Sequence, residues 1–163
     1  MPDKETIERA HQDAAQGKSA STQAGEFVRE EMHHIREGKH GARSPKQAIA
    51  IGLSKARRAG VKLGAPGRGK ASAAIRRKAA KDLRRGRSRR RPSARRARAV
   101  KGALRREPRS SASRKALATQ AHRAAMRRGR RARSAAAKKA VRTKGPARRR
   151  AAARKAARTR KAR

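Results

Sequence analysis

Hydrophobic residues recur with helical spacing in two segments near the N-terminus. The first segment is residues 22–37, where apolar side chains return every three or four positions beside Phe27: Ala24, Val28, Met32 and Ile35. This spacing places them along one face of an α-helix. Gly38 follows directly and favours the end of that helix.

The second segment begins with a strong helix start signal. Ser44 can cap a helix, Pro45 fits its first position, and Gln47 can close a capping box. The helix is predicted to continue to residue 59. Its apolar face is formed by Ala48, Ile49, Ile51, Gly52, Leu53 and Ala56.

The same helix has a matching stop signal. Gly60 can adopt a left-handed conformation, and Val61 can fold back onto the last turn, as in a Schellman motif. Residues 22–63 are therefore predicted to form a capped αα-hairpin. A hairpin of some forty residues is marginal on its own. We expect it to form a homodimer, or to pack on another helix or on its ligand.

Outside the hairpin the hydrophobic pattern fades. Residues 3–16 contain Ile7 as their sole large apolar side chain, so residues 1–21 are predicted to be a weak polar helix and a connector. Residues 64–70 are rich in Gly and Pro and are predicted to form a linker. Residues 65–163 contain seven large apolar side chains among 28 Ala and 30 Arg, so they lack the material for an ordinary core.

Charge is distributed as unevenly as hydrophobicity. The chain carries 52 Lys and Arg against 10 Asp and Glu, and residues 65–163 hold 40 of those cations with two acids. Ordering a residue costs about 1–2 kcal/mol, whereas a buried large side chain recovers about 1.5–3 kcal/mol. The predicted fold class is therefore mostly α with extensive disorder. It consists of a short N-terminal helical hairpin and a long Arg/Ala-rich tail, disordered or in short isolated helices.

The tail contains a faint repeat. Leu83, Leu104 and Met126 each precede an Arg pair, at spacings of 21 and 22 residues. Each repeat is an Ala/Arg-rich stretch of high helix propensity that ends at Gly or Pro. Short isolated helices are marginal in water, and neighbouring guanidinium groups repel one another. We expect residues 71–163 to be mostly coil alone and to form several short helices on DNA.

A polycation with so few acids needs a polyanion as partner. Duplex DNA carries one phosphate per about 1.7 Å of axis, and guanidinium binds phosphate in bidentate geometry. The composition predicts nonspecific DNA binding and compaction by a histone-like, nucleoid-associated protein of the cytoplasm. The expected DNA contacts are Arg84, Arg85, Arg87, Arg89, Arg90, Arg91, Arg95, Arg96, Arg105, Arg106, Arg127, Arg128, Arg130, Arg131, Arg148, Arg149 and Arg150.

The second helix of the hairpin supplies secondary candidates that could enter a groove: Lys46, Lys55, Arg57 and Arg58. Nothing in the sequence predicts base readout, which needs side chains held rigidly against base edges. The alternative partner is folded RNA, for example at the ribosome, bound through phosphates. Stacking on single-stranded bases is not expected, because Phe27 is the sole aromatic residue.

Residues 26–60 resemble a family of small basic bacterial proteins that are often labelled DNA-binding. The resemblance rests on the stretch EFVREEMHHIREGKHGARSPKQAIAIGLSKARRAG. It implies an association with DNA but no defined mechanism. The remainder resembles, in composition, the tails of histone H1-like bacterial proteins and protamines, although its 30 Arg outnumber its 10 Lys.

The sequence shows no enzymatic machinery: it has no cysteine, no Gly-rich loop ending in Lys-Ser/Thr, and no convincing carboxylate pair. We therefore predict a protein that is not an enzyme and uses no cofactor. No apolar run approaches the roughly 20 residues of a membrane span, so no membrane partner is expected. One helix and its following loop offer a candidate metal cluster of His33, His34, His40, Glu30 and Glu37. Glu30 and His33 have the Glu-x-x-His spacing of di-iron helices. Such di-iron sites need carboxylates from several helices, and one helix offers them here, so no metal is predicted.

Overall fold

The computed structural model describes residues 2–86, 88 and 93–161. Within these residues the chain forms seven α-helices and one 3₁₀ turn, Arg109–Ala112, which lies between α5 and α6. The helices are α1 Lys4–Ala15, α2 Ala20–Arg36, α3 Pro45–Arg58, α4 Ala73–Gly86, α5 Ala94–Arg105, α6 Arg114–Arg127 and α7 Gly129–Lys161. The chain divides into two compact units, Met1–Ala118 and Thr119–Arg163.

The predicted helices of the hairpin are confirmed as α2 and α3, and both are capped by serine. Ser19 Oγ accepts a hydrogen bond from the Thr22 N–H at 3.4 Å, and Ser44 Oγ accepts one from the Gln47 N–H at 3.3 Å. The side chain of Gln47 accepts from the N–H of Arg43 at 2.9 Å, one residue before the capping serine. In a standard capping box this side chain would accept from the N–H of the capping residue, Ser44, so here the second bond is shifted by one residue.

Each of the first three helices ends in a Schellman motif. The residue with positive φ is a glycine in every case: Gly17, Gly38 and Gly60. At the end of α3, the Gly60 N–H donates to the carbonyl of Arg57 at 3.2 Å. The Val61 N–H donates to the carbonyl of Ala56 at 3.1 Å, which confirms the predicted motif.

Two apolar clusters hold the first unit together. One joins α1, α2 and the end of α3 through Ala10, Ala24, Phe27, Ala56 and Val61. The other joins α2, α3 and the 3₁₀ turn through Met32, Ile35, Ala42, Ala48 and Ala112. Helices α2 and α3 lie in close contact at Gly52, where an added Cβ would lie 2.7 Å from the Cα of Val28. The interface between α2 and α3 therefore requires a glycine at this position.

Part of the basic region packs on this core. Ser54 Oγ donates to Asp82 Oδ2 of α4 at 2.7 Å, and the Asp82 side chain is buried. Arg36 Nε donates to the carbonyl of Ala112 at 2.9 Å, which attaches the 3₁₀ turn to α2. Residues 64–70, between α3 and α4, form irregular chain that ends in a turn. Their role as a linker between domains stays a prediction.

The prediction of extensive disorder is wrong. Most of the described residues from Ala73 onward lie in α4 to α7 and in the 3₁₀ turn. Ala and Arg are strong helix formers, and their summed propensity over these segments favours helix. Small and polar side chains, rather than large apolar ones, make the buried contacts here: Ala79, Asp82, Ser111 and Ala112.

The repeat is visible in the helix boundaries. Leu83, Leu104 and Met126 lie in the last turns of α4, α5 and α6. The first of these helices ends at Gly86, and the third ends two residues before Gly129. Two of the three stretches therefore end at or shortly before a glycine, and α5 ends at Arg105, three residues before Pro108.

The second unit contains most of α6 and the whole of α7. The 33 residues of α7 are not one uninterrupted helix. Gly145 has non-helical φ and ψ of 65° and 170°, and Pro146 follows it. The helix therefore consists of two arms joined at a kink, as expected where proline cannot continue the hydrogen-bond ladder.

Candidate nucleic-acid interface

The most extended cationic surface lies on α7. Its 33 residues include 15 Lys and Arg and no Asp or Glu. All of these cations are exposed except Arg133, which is partly buried. At about 1.5 Å of rise per residue, one cation occurs every 3.3 Å or so of helix axis, about half the phosphate density of a duplex.

These cations point to all sides of the helix. Successive residues are about 100° apart around an α-helix, so Arg148, Arg149 and Arg150 project in three directions. The cations of the first arm are Arg130, Arg131, Arg133, Lys138, Lys139, Arg142 and Lys144. Those of the second arm are Arg148, Arg149, Arg150, Arg154, Lys155, Arg158, Arg160 and Lys161.

Among the described residues, no helix combines the length and apolar character that a membrane crossing requires.

The remaining predicted contacts that the structure describes lie at or near helix ends. In the second unit, four exposed arginines flank the glycine between α6 and α7: Arg127, Arg128, Arg130 and Arg131. In the first unit, the exposed arginines lie at the end of α4 and at both ends of α5: Arg84, Arg85, Arg95, Arg96, Arg105 and Arg106. Four predicted contacts lie outside the described residues: Arg87, Arg89, Arg90 and Arg91.

The secondary candidates on α3 do not form one surface. Lys46 lies in the first turn and Arg58 in the last, so about 18 Å of helix separates them. Both are exposed. Arg57 is only 8% exposed, and its Nε donates to the carbonyl of Leu63 at 3.1 Å. Burial lowers the pKa of Arg57, an effect that the charge of Asp82 partly opposes.

Lys55 is held in an ion pair inside the first unit. Its Nζ lies 3.0 Å from Glu30 Oε1 and 2.8 Å from Glu31 Oε2, and its side chain is 15% exposed. Burial acts to lower the pKa of Lys55, but hydrogen bonds and charge from Glu31 and Glu30 outweigh it, so the pKa rises above 10.5. Because Lys55 and Arg57 already have partners within the protein, we do not carry them forward as DNA contacts.

Sequence reasoning found three of the six members of the charged cluster around Lys55 and missed Asp3, Glu31 and the inward position of Lys55 itself. It grouped Glu30, His34 and His40 with His33 and Glu37, which are exposed in the structure. The group that the structure brings together, here called the Glu31 cluster, is Asp3, Glu30, Glu31, His34, His40 and Lys55.

The sequence did contain a signal for the central member of this cluster. Glu31 lies four residues after Phe27 and four before Ile35, and this spacing puts all three on the buried face of α2. A carboxylate on an apolar face needs a buried partner. Which residue of α3 would supply it depends on the register of the two helices, which the sequence does not specify.

Asp3 forms the exposed side of the Glu31 cluster. His34 Nε2 lies 3.1 Å from Asp3 Oδ2. This hydrogen bond is the main cause that lowers the pKa of Asp3, and the charges of His34, Lys39 and Lys55 add to it against a smaller opposing effect of burial. Asp3 precedes α1, so the contact attaches the start of α1 to α2.

Residues 17–67 match a family of unknown function, DUF6496. The matched segment contains α2, α3 and every member of the Glu31 cluster except Asp3. It covers less than half of the chain, and the family description states no ligand or activity. The resemblance of residues 26–60 to proteins labelled DNA-binding therefore stays a prediction. No curated protein and no solved structure matches the chain.

Proposed function

We propose that this chain binds duplex DNA through its phosphates, without sequence preference, and compacts it as a histone-like protein of the nucleoid. The observation that carries the proposal is the exposed, acid-free cationic surface of α7. Within residues 119–161 there are 18 Lys and Arg and no Asp or Glu. Binding by such a surface releases condensed counterions, and that release dominates affinity.

The size of the expected salt dependence follows from the number of contacts. If all 18 cations of residues 119–161 were neutralised, they would cover about 18 phosphates, or about 9 base pairs. Contact with even six to ten phosphates gives a log–log slope of affinity against salt of about −5 to −9. A solvated tail that only aids solubility would give no comparable slope.

Compaction is supported by the distribution of charge around α7. A duplex that lies against one side of a helix leaves the cations of the opposite side free. Because both arms of α7 carry cations on all sides, those free cations can contact a second duplex. One helix could then bridge two DNA segments.

The same exposure favours nonspecific over specific binding. Base readout requires side chains fixed by neighbouring structure, whereas the arginines of α7 are long and exposed. Stacking on unpaired bases is also disfavoured, because Phe27, the sole aromatic residue, is 1% exposed. With base readout and base stacking disfavoured, the binding mode that is left is phosphate contact with a duplex or with folded RNA. The duplex is the partner we propose.

The test is a titration of the full-length protein against two unrelated duplexes and one folded RNA of equal phosphate number, at several salt concentrations. We expect the two duplexes to bind within about threefold of each other, with a slope of −5 or steeper. A second duplex should be retained on beads that carry the first. A flat salt dependence, or a hundredfold preference for one duplex sequence, would contradict the proposal. Strong preference for the RNA would assign the surface to the alternative partner.

A further inference from the structure

The ring of His40 is oriented by the backbone. Its Nδ1 lies 3.1 Å from the carbonyl oxygen of Gly41, and a carbonyl only accepts, so Nδ1 carries a hydrogen. Its Nε2 lies 3.3 Å from Glu31 Oε1. In a neutral ring with this tautomer, Nε2 is an acceptor that faces another acceptor. A positive species, either a proton or a metal ion, is needed between the two atoms.

His34 shows the same arrangement. Its Nε2 lies 3.1 Å from the carboxylate of Asp3, and its Nδ1 lies 3.8 Å from Glu30 Oε1, beyond hydrogen-bond distance. The rings of His34 and His40 are nearly perpendicular, with their centroids 6.3 Å apart. Each histidine thus has an oxygen acceptor 3.1 Å from its outer nitrogen. The inner nitrogen lies 3.3 Å from Glu31 in His40 and 3.8 Å from Glu30 in His34, and both carboxylates are buried. Histidines that bind metals are held in this way by the second ring nitrogen.

Glu31 completes the geometry. Its side chain is fully buried, and neither oxygen has a well-aligned hydrogen bond, although Oε2 forms the ion pair with Lys55. One ligand atom from each of Glu31, His34 and His40 lies within 4.8 Å of the others. Ligand atoms about 2.0–2.1 Å from a tetrahedral Zn²⁺ are about 3.3 Å apart, which matches the separation of His40 Nε2 from Glu31 Oε1.

We propose that Glu31, His34 and His40 bind one divalent transition-metal ion, with Zn²⁺ as the best match. Two imidazoles and one carboxylate form a ligand set that Zn²⁺ accepts, with water in the fourth position. The charges also balance. Asp3, Glu30 and Glu31 carry three negative charges and Lys55 one positive charge, so a dication beside two neutral histidines brings the cluster to zero.

The ion would have a structural effect. It would take Glu31 Oε1, leaving Oε2 to Lys55, and so join α2, α3 and the loop that carries His40. A metal that binds the folded state and not the unfolded chain raises the melting temperature. The ligands lie in the first unit, so this proposal is independent of DNA binding by α7.

The test uses the full-length protein, freed of metal with a chelator and titrated with Zn²⁺ by calorimetry and with Co²⁺ by visible absorption. We expect one site per chain, the visible bands of tetrahedral Co²⁺, and a higher melting temperature with Zn²⁺. His40→Gln should weaken binding at least tenfold and abolish the thermal shift. His33→Gln is the matched control, since His33 is an exposed neighbour on α2, and it should leave both unchanged.

Asp3→Asn provides a second variant that leaves the buried residues intact. Asp3 is exposed, and removal of an outer partner of a ligand histidine weakens metal binding about 10–100-fold. Three results would each overturn the proposal: no Zn²⁺ or Co²⁺ binding by the wild type, equal affinity after His40→Gln, or equal losses from His33→Gln and His40→Gln.

Discussion

Neutralising one arm of α7 provides a quantitative test of the DNA-binding surface. The variant R148Q/R149Q/R150Q/R154Q removes four exposed cations that lie at about 0°, 100°, 200° and 240° around the helix. Rotation of the helix therefore cannot replace them with neighbours from the same turns. Gln is a good helix former, so α7 should persist and the circular dichroism spectrum should be unchanged.

The magnitude depends on how many sides of the helix contact DNA. A single duplex faces about half of the circumference, so about two contacts are lost, and at about 0.9 each the log–log salt slope becomes shallower by about 2. At 0.15 M salt this corresponds to about 30-fold weaker binding. If α7 lies between two duplexes, all four contacts are lost and the slope changes by about 4.

The assay is fluorescence anisotropy of a dilute labelled duplex, titrated at five salt concentrations, with capture of a second duplex measured in parallel. The matched control is K4Q/K39Q/R43Q/K62Q, which removes the same charge from exposed positions of the first unit. The log–log salt slope of this control variant should change by less than the value for one phosphate contact, about 0.9. Equal changes in the two variants would show that net charge alone matters, and an unchanged slope in the α7 variant would remove this helix from the interface.

Two further predictions concern the first unit. Lys55→Met leaves two buried carboxylates without their ammonium partner, so the free energy of unfolding in urea should fall by about 3–5 kcal/mol. The pKa of Lys55 is raised in the folded state, so its contribution to the free energy of unfolding is full below pH 10.5 and is lost as the pH rises above that value. Lys55→Met should lack this loss of stability at alkaline pH. Gly52→Ala should destabilise by about 1–3 kcal/mol through its clash with Val28, whereas Gly25→Ala, whose Cβ would meet nothing within 4 Å, should be neutral or stabilising. Similar changes for the two glycine variants would contradict the packing described at Gly52.

The sequence was most informative where structure is set locally. The start of α3 at Ser44 and Pro45 and its end at Gly60 depend on hydrogen bonds between near neighbours, so their residue types identify them. The exposure of the tail arginines also followed from composition, because so many charges cannot be buried together.

Order in the basic region was not predictable in the same way. It depends on contacts between residues far apart in the chain, such as Ser54 with Asp82 and Arg36 with Ala112. The residues involved are small or polar and do not stand out in a hydrophobic pattern. The inward role of Lys55 was missed for a related reason, since its position against Glu30 and Glu31 depends on how α2 and α3 are aligned.

The absence of carboxylates from residues 119–161 has a consequence for how a complex could be dissolved. Lys and Arg keep their charge across the whole physiological pH range, so a fall in pH would leave the affinity of α7 for DNA almost unchanged. Release would then have to come from a competing polyanion, from a rise in ionic strength, or from an enzyme that acetylates lysine or places phosphate beside the arginines.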